Sequence, residues 1–224
     1  MECMAPACGA KPSGRLTSEP NEACMQTVLG VTGAAFIAAG LAAGPAMGQS
    51  VTRAYTRFDS KQYRHTPGRD AEDYGSWRCS GHDGIEVRLS AGDQRMQVSF
   101  GRDAAREPAA RQTFAAFNSV YQGTVEWRLE ARANGKPRPF ATILRWNIKL
   151  EEDERASTGR VLVVTRLNPG GVCHVGYVDA RANPNANKLA QQVADQHARA
   201  FQCGKDKPIV RGKTSAGLNM PDGS

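Results

Sequence analysis

Charged side chains are absent between Ala23 and Thr52, although they make up 23% of the 224 residues. Ala, Gly, Val and Leu dominate this stretch, whose apolar part covers residues 28–48. A transmembrane helix needs about 20 such residues, but repeated glycines and Pro45 weaken a stable span. The pattern therefore favours a secretory signal peptide over residues 25–48.

Small residues stand where the signal peptide is expected to end, with Ala46 and Gly48 at the third and first positions before Gln49. Signal peptidases accept small side chains at these positions, so we predict cleavage between Gly48 and Gln49. The protein is then periplasmic or secreted in a bacterium, with no membrane anchor after cleavage. Residues 1–24 lack the positively charged N-terminal region of a signal peptide. We interpret them as an N-terminal extension that a misassigned translation start would explain.

A dense block of basic residues is also missing, although the chain has a net charge of +7. Lys and Arg are interleaved with Asp and Glu along most of the sequence, which is typical of a solvated surface. We therefore expect no nucleic-acid partner. An anionic polymer of the cell envelope stays open as a partner, because a positive balance favours anionic ligands.

Metal-binding and phosphate-binding patterns are absent as well. The four histidines lack zinc-type spacing, and the sequence GKT at 212–214 lacks the upstream glycine of a phosphate loop. His82 and Asp83 stand in the turn sequence SGHDG, whose residues are ordinary turn formers. His174 follows Cys173, but adjacent strand residues point to opposite faces and cannot act as base and nucleophile. The sequence predicts no metal and no cofactor, and it assigns no catalytic residue.

Period-two alternation of apolar and polar residues predicts three β-hairpins. Their strand pairs cover residues 85–89 with 96–100, 125–129 with 140–150, and 160–167 with 172–178. After Asn183, an expected N-cap, the apolar spacing becomes three and four residues and continues to Gly204, an expected C-cap. The sequence predicts an α+β fold: a mostly antiparallel sheet of six or seven strands, with one long C-terminal amphipathic helix packed on it.

The folded domain is expected to span residues 75–204. The lead-in, residues 49–74, is predicted to be irregular apart from a short edge strand near 51–58. The tail, residues 205–224, has little to bury and is predicted to be mobile.

Only three cysteines follow the predicted cleavage site, at positions 79, 173 and 203. In an oxidising compartment, two of them can form a stable disulfide. The strand after Cys173 advances about 20 Å, and the helix before Cys203 returns about 30 Å. A helix that doubles back over its own strand brings these two cysteines together, so the Cys173–Cys203 disulfide is favoured. A Cys79–Cys203 pair is the alternative.

Aromatic and basic residues alternate along the predicted strands. Three tryptophans are expected mainly in the core: Trp77, Trp127 and Trp146. Four arginines are expected to point outward: Arg78, Arg88, Arg128 and Arg145. A sheet face that combines arginines with aromatic rings is suited to bind a polyanion or a glycan.

Two segments, WRCSGHDGIEVRLSAGDQRMQVSFG and CHVGYVDARANPNANKLAQQVADQHARAFQC, resemble a group of small, uncharacterised exported proteins of alphaproteobacterial type. The likeness covers about residues 59–203 and implies export without a catalytic assignment. Such relatives place a further cysteine in the lead-in, where this chain reads FDSKQYRHT. The resemblance therefore implies that Cys79 has lost its partner and is the free thiol.

The sequence thus favours a non-enzymatic exported module whose sheet surface meets an envelope component or a partner protein. The alternative is a periplasmic hydrolase that uses carboxylates such as Asp83, Asp93 or Asp179, although no two of them have a spacing that assigns roles. A pocket that gathers His82, Asp93 and Asp179 is the arrangement that the hydrolase would require.

Overall fold

A computed structural model describes residues 50–58, 63–70, 73–120, 123–133, 135–150, 158–167 and 171–222. The predicted N-terminal extension, the signal peptide and the cleavage position at Gly48 and Gln49 lie outside these residues. Within the described part of the chain, no helix has the length and apolar content needed to cross a membrane.

The described residues form two sheets and one α-helix. In chain order the strands are β1 (Val51–Arg57), β2 (Arg64–Thr66), β3 (Asp73–Ser80), β4 (Glu86–Gly92), β5 (Arg95–Phe100), β6 (Asn118–Ser119), β7 (Thr124–Glu130), β8 (Arg138–Lys149), β9 (Thr158–Arg166), β10 (His174–Asp179) and β11 (Ile209–Val210), and the helix α1 covers Ala186–His197. Sheet 1 has the order β1-β7-β8-β9-β10-β11, with β6 also paired to β8. Sheet 2 has the order β2-β3-β4-β5.

The domain has three layers, with sheet 1 in the middle. Sheet 2 packs on one face of sheet 1, where the ring centroids of Phe100 and Trp127 are 5.7 Å apart. Trp146 and Tyr177 are buried in the same cluster between the sheets. The helix covers part of the other face of sheet 1, with its alanines and Val193 buried beside aliphatic side chains of β8, β9 and β10. Apolar residues on both faces of the central strands explain the nearly continuous burial of β8 and β10.

The predicted α+β class is confirmed, with mostly antiparallel pairing and the helix packed against β9 and β10. All three predicted hairpins are present, as β4–β5, β7–β8 and β9–β10. Sheet 1 has seven strands, in line with the six or seven expected, but a second sheet of four strands was not predicted, and β11 joins β10 in parallel. Alternation along a strand identifies its two faces but not the sheet to which it belongs.

The helix is shorter than predicted at both ends, because it ends at His197, before the expected C-cap Gly204, and its expected N-cap has another role. The Asn183 side chain donates to the backbone oxygens of Asp179 at 2.8 Å and Lys213 at 2.7 Å, and it accepts from the Lys213 backbone N–H at 3.0 Å. The helix begins three residues later, after Asn185, which provides no side-chain cap.

Both ends of the described domain pack against the rest of the fold, and the tail does so more than the sequence predicts. The expected edge strand near residues 51–58 is β1, which pairs with β7 along its whole length. In the tail, the Ser215 backbone N–H donates to Asp179 at 2.8 Å, and Leu218 is buried between the sheets. The tail was predicted to have little to bury because its apolar residues are few, yet Leu218 reaches the core.

Candidate binding groove

Cys173 and Cys203 form a disulfide, with their Cα atoms 5.9 Å apart. This is the pairing favoured from the sequence. Cys79 is the free cysteine of the described residues. Burial, and to a smaller extent the charge of Glu86, raises the pKa of the Cys79 thiol to about 11. The thiol is therefore protonated at neutral pH and a poor nucleophile.

The structure does not gather the candidate acids and bases of the hydrolase alternative. Asp83 lies in a 3₁₀ turn before β4, and Asp93 lies in the turn after the same strand. His82 and Asp93 are therefore at opposite ends of β4, about 20 Å apart at 3.3 Å per residue. Asp179 is in the other sheet, at the end of β10.

The carboxylate of Asp179 is occupied by backbone groups. It accepts hydrogen bonds from the N–H groups of Arg181, Ala182 and Ser215. Burial alone would raise the pKa of Asp179, but a hydrogen bond from the Ser215 side chain and these backbone hydrogen bonds outweigh burial and lower it. Asp179 therefore fastens the chain after β10 to the tail and stays ionised.

His174 is completely enclosed in the core. Its Nδ1 lies 3.0 Å from the Tyr177 hydroxyl, and its Nε2 has no hydrogen-bond partner among the described residues. Burial lowers the pKa of His174 to about 3, so the imidazole is neutral at physiological pH. The residue is only 1% exposed, which agrees with a structural role.

The four outward arginines have different environments. Arg145 is exposed on β8, and Arg78 is exposed on β3. Arg88 is partly buried on the outer face of sheet 2. The prediction that Arg128 points outward to solvent is wrong. Its side chain is only 8% exposed and pairs with Glu126 and Asp195. The helix covers this part of β7, which the strand pattern alone does not reveal.

The helix leaves one part of sheet 1 open, and a groove of about 430 Å³ lies there. We call it the sheet groove. Its floor contains the aliphatic side chains of Ile143 and Leu162. Its polar and aromatic lining comes from four elements: Tyr55, Thr124, Glu126, Arg145, Asn147 and Asn187.

Strand register explains how residues that are distant in sequence meet in the sheet groove. Tyr55 lies opposite Glu126, and Glu126 lies opposite Ile143. Arg145 lies opposite Leu162 in the next pair. Directly opposed residues of an antiparallel pair share a face, so these side chains form one surface across β1, β7, β8 and β9. Tyr55 is 54% exposed there.

Positive charge exceeds negative charge around the groove. Arg145 has no ion pair with any residue in the described ranges, and neither do Arg57 and Arg160, which lie on β1 and β9 at its two sides. Glu126 is the acidic lining residue. Its Oε1 accepts hydrogen bonds from Arg128 at 3.0 Å and from Gln191 at 2.9 Å, so it is already committed within the protein.

The N-terminal turn of α1 adds to this positive environment. Asn187 lies in that turn and lines the groove. The turn contains no acidic residue, and Asn185 makes no side-chain cap. Helix N-termini carry a partial positive charge and free N–H groups, which favour anions.

Sequence reasoning found Arg145 but missed the aromatic and amide residues of the groove. Tyr55 lies in the strand expected near residues 51–58, and its alternation with Arg53 and Arg57 was the available signal. Nothing in the sequence around Asn147 and Asn187 indicates that they line the same groove, because their proximity depends on how the helix packs on the sheet.

Comparisons with known proteins do not extend these observations: no family model, no curated protein and no solved structure matches the chain. Among the residues that the structure describes, no group of three or more His, Cys, Asp and Glu side chains is placed to hold a metal ion. The sheet groove is therefore interpreted from its own chemistry.

Proposed function

We propose that the protein is an exported, non-enzymatic binding module of a bacterial cell envelope, and that the sheet groove holds an anionic glycan. The observation that carries this proposal is the position of Arg145, exposed and without an ion pair in the described chain, in one groove with the exposed ring of Tyr55.

Each part of the groove suits a different part of such a ligand. The Tyr55 ring offers a flat apolar surface for a sugar ring. Arg145 can donate two parallel hydrogen bonds to a carboxylate or phosphate group. The side chains of Thr124, Asn147 and Asn187 supply donors and acceptors for hydroxyl groups.

Export is supported by the signal-like segment at residues 25–48 and by the Cys173–Cys203 disulfide, which is compatible with an oxidising compartment. We expect N-terminal sequencing of the protein from bacterial cells to give a chain that begins at Gln49. A purified native chain that begins at Met1 would contradict export through this signal.

Binding is tested with polygalacturonate as the acidic glycan and dextran as a neutral one, by affinity electrophoresis and titration calorimetry. We expect the protein to bind polygalacturonate and not dextran. Arg145→Gln should weaken binding at least about tenfold, since a hydrogen bond to a charged group contributes about 1.5–3 kcal/mol. Tyr55→Ser should weaken it several-fold through loss of the ring surface.

Two matched variants control for charge and aromatic content. Arg132→Gln removes an exposed arginine after β7, at the end of the strand away from Thr124. Tyr74→Ser removes a tyrosine that is 46% exposed on sheet 2. Both should bind as the wild type does. Equal loss in Arg132→Gln and Arg145→Gln would show nonspecific attraction by net charge and would contradict the groove as the site.

A further inference from the structure

Three arginines stand side by side on the outer face of sheet 2. Arg64 on β2 lies opposite Arg78 on β3, and Arg78 lies opposite Arg88 on β4. Their neighbours Trp77 and Leu89 point to the core, so the arginines point away from it. Because adjacent strands are about 4.8 Å apart, the three side chains form a row about 10 Å wide, which we call the arginine row.

The arginine row has too little negative charge of its own. Like charges directly opposite each other on neighbouring strands are destabilising. The one carboxylate within ion-pair distance in the described part of the domain is Glu86, with its Oε1 3.9 Å from Arg78 Nε. Arg64, on the exposed edge strand, has no ion pair there. Three guanidinium groups thus face one carboxylate at the limit of ion-pair distance, and Asp73, which is paired with Arg69, acts on Arg88 only from farther away.

Hydrogen bonding within the row is also incomplete. Arg88 Nη1 donates to Ser90 Oγ at 3.2 Å, and Ser90 is in turn bonded to Gln97 at 3.1 Å. Arg88 Nε has no hydrogen-bond partner among the described residues, and neither has Ser99 Oγ, which belongs to the residue opposite Arg88. Burial first, and then the positive charge of Arg78, lowers the pKa of Arg88, and the negative charges of Glu86 and Asp73 offset this only in part.

We propose that the arginine row is a second anion-binding site, which takes a doubly charged tetrahedral oxyanion, a phosphate or sulfate group, between Arg78 and Arg88. Guanidinium groups match such oxyanions in shape and can donate two hydrogen bonds each. The bound group would supply the negative charge that the fold does not. A single carboxylate would neutralise only one of the three arginines.

The two sites lie on opposite sides of the three-layer domain, since the row is on the outer face of sheet 2 and the sheet groove is on the helix side of sheet 1. A ligand in one site therefore leaves the other open. The inference does not depend on the function proposed for the groove.

The test uses inorganic phosphate and inorganic sulfate, titrated into the full protein against chloride at constant ionic strength. Binding is followed by calorimetry and by the Nε–H signals of the arginines in ¹⁵N-correlated NMR spectra. We expect the Arg78 and Arg88 signals to shift in a saturable manner with phosphate or sulfate and not with chloride. A response to only one of the two ions supports the proposal and identifies the group.

Arg78→Gln should weaken oxyanion binding at least about tenfold. Arg64→Gln, on the exposed edge strand, should weaken oxyanion binding by a few-fold without affecting folding. This second variant keeps the test valid if Arg78→Gln does not fold. Arg132→Gln, which lies outside both sites, should bind as the wild type does. Absence of saturable shifts at Arg78 and Arg88, or unchanged affinity in both row variants, would overturn the proposal.

Discussion

Arg128 on β7 is joined to Asp195 on α1 by two hydrogen bonds, from Nε to Oδ1 at 2.9 Å and from Nη2 to Oδ2 at 2.6 Å. The same guanidinium also donates to Glu126, which lines the sheet groove. This paired contact fixes the helix against the sheet at the border of the groove.

Asp195→Ala should lower the free energy of unfolding by about 2 kcal/mol. Removal of one partner from a fully buried ion pair costs about 3–5 kcal/mol, and the partial exposure of Asp195 and the second contact of Arg128 reduce this loss. Urea unfolding measures the change. Asp103→Ala, an exposed aspartate without an ion pair in the described chain, is the control and should stay within about 0.5 kcal/mol of the wild type. Equal effects of the two substitutions would contradict a stabilising Arg128–Asp195 pair.

His174 should make the protein less stable as the pH falls. Its pKa is about 3 in the folded protein and about 6.5 in an unfolded chain, so only the unfolded state gains a proton between these values. Its contribution to stability is therefore fully present above pH 6.5 and is lost towards pH 3, at up to about 1.4 kcal/mol per pH unit.

The measurement for His174 is the free energy of unfolding between about pH 7 and pH 5, a range above the titration of most carboxylates. His174→Gln should flatten the slope of this free energy against pH, whatever its effect at pH 7. His65→Gln removes an exposed histidine and should keep the wild-type slope. An unchanged slope in His174→Gln would show that another group causes the pH dependence.

The disulfide should stabilise the protein by about 3–4 kcal/mol, as the chain-entropy model gives for a separation of 30 residues. The Cys173→Ser/Cys203→Ser double variant should show this loss in urea unfolding. Peptide mapping without reduction should recover the Cys173–Cys203 pair.

Cys79 should react slowly with alkylating agents in the folded protein. Iodoacetamide at pH 8 should label Cys79 in unfolded protein and only slowly in folded protein, because the thiol is protonated in the folded state. Rapid labelling of folded protein would contradict this environment.

Leu218 should contribute to stability although it lies six residues from the C-terminus. Its side chain is buried between the two sheets, next to Gly159 of β9. Leu218→Ala should lower the free energy of unfolding by about 2–3 kcal/mol, the lower part of the range for buried leucines. Val210→Ala, at a site 47% exposed in the same tail, should cost much less. Equal small effects would show that the tail is not packed in solution.

Local patterns accounted for much of the fold. The hairpins β4–β5, β7–β8 and β9–β10 were predictable because alternation and turn residues act over a few neighbouring positions. The disulfide was predictable because the lengths of β10 and the helix limit where Cys203 can lie. The extent of the helix was not predictable, because Asn183 bonds to the tail instead of capping the first turn, and the helix ends at His197 although the apolar spacing continues to Phe201.

The candidate sites were predictable only in part. Arg145, Arg78 and Arg88 stood out as polar positions in alternating strands. Arg128 has the same pattern, yet it is buried under the helix. No local signal distinguishes a polar residue that faces solvent from one that faces another layer, because the difference depends on which elements pack together.

The sequence by itself determined the α+β class, the hairpins and the absence of a metal-binding pattern, since each depends on residue type and short-range spacing. It favoured the pairing of Cys173 with Cys203, and the structure decided between this pair and Cys79–Cys203. Only the tertiary structure decided that the strands divide into two sheets and that the arginine row forms. It also decided that α1 covers one part of sheet 1 and leaves Tyr55 and Arg145 exposed together. These features depend on register and layer packing between segments far apart in the chain, where the free energy comes from contacts that no single segment contains.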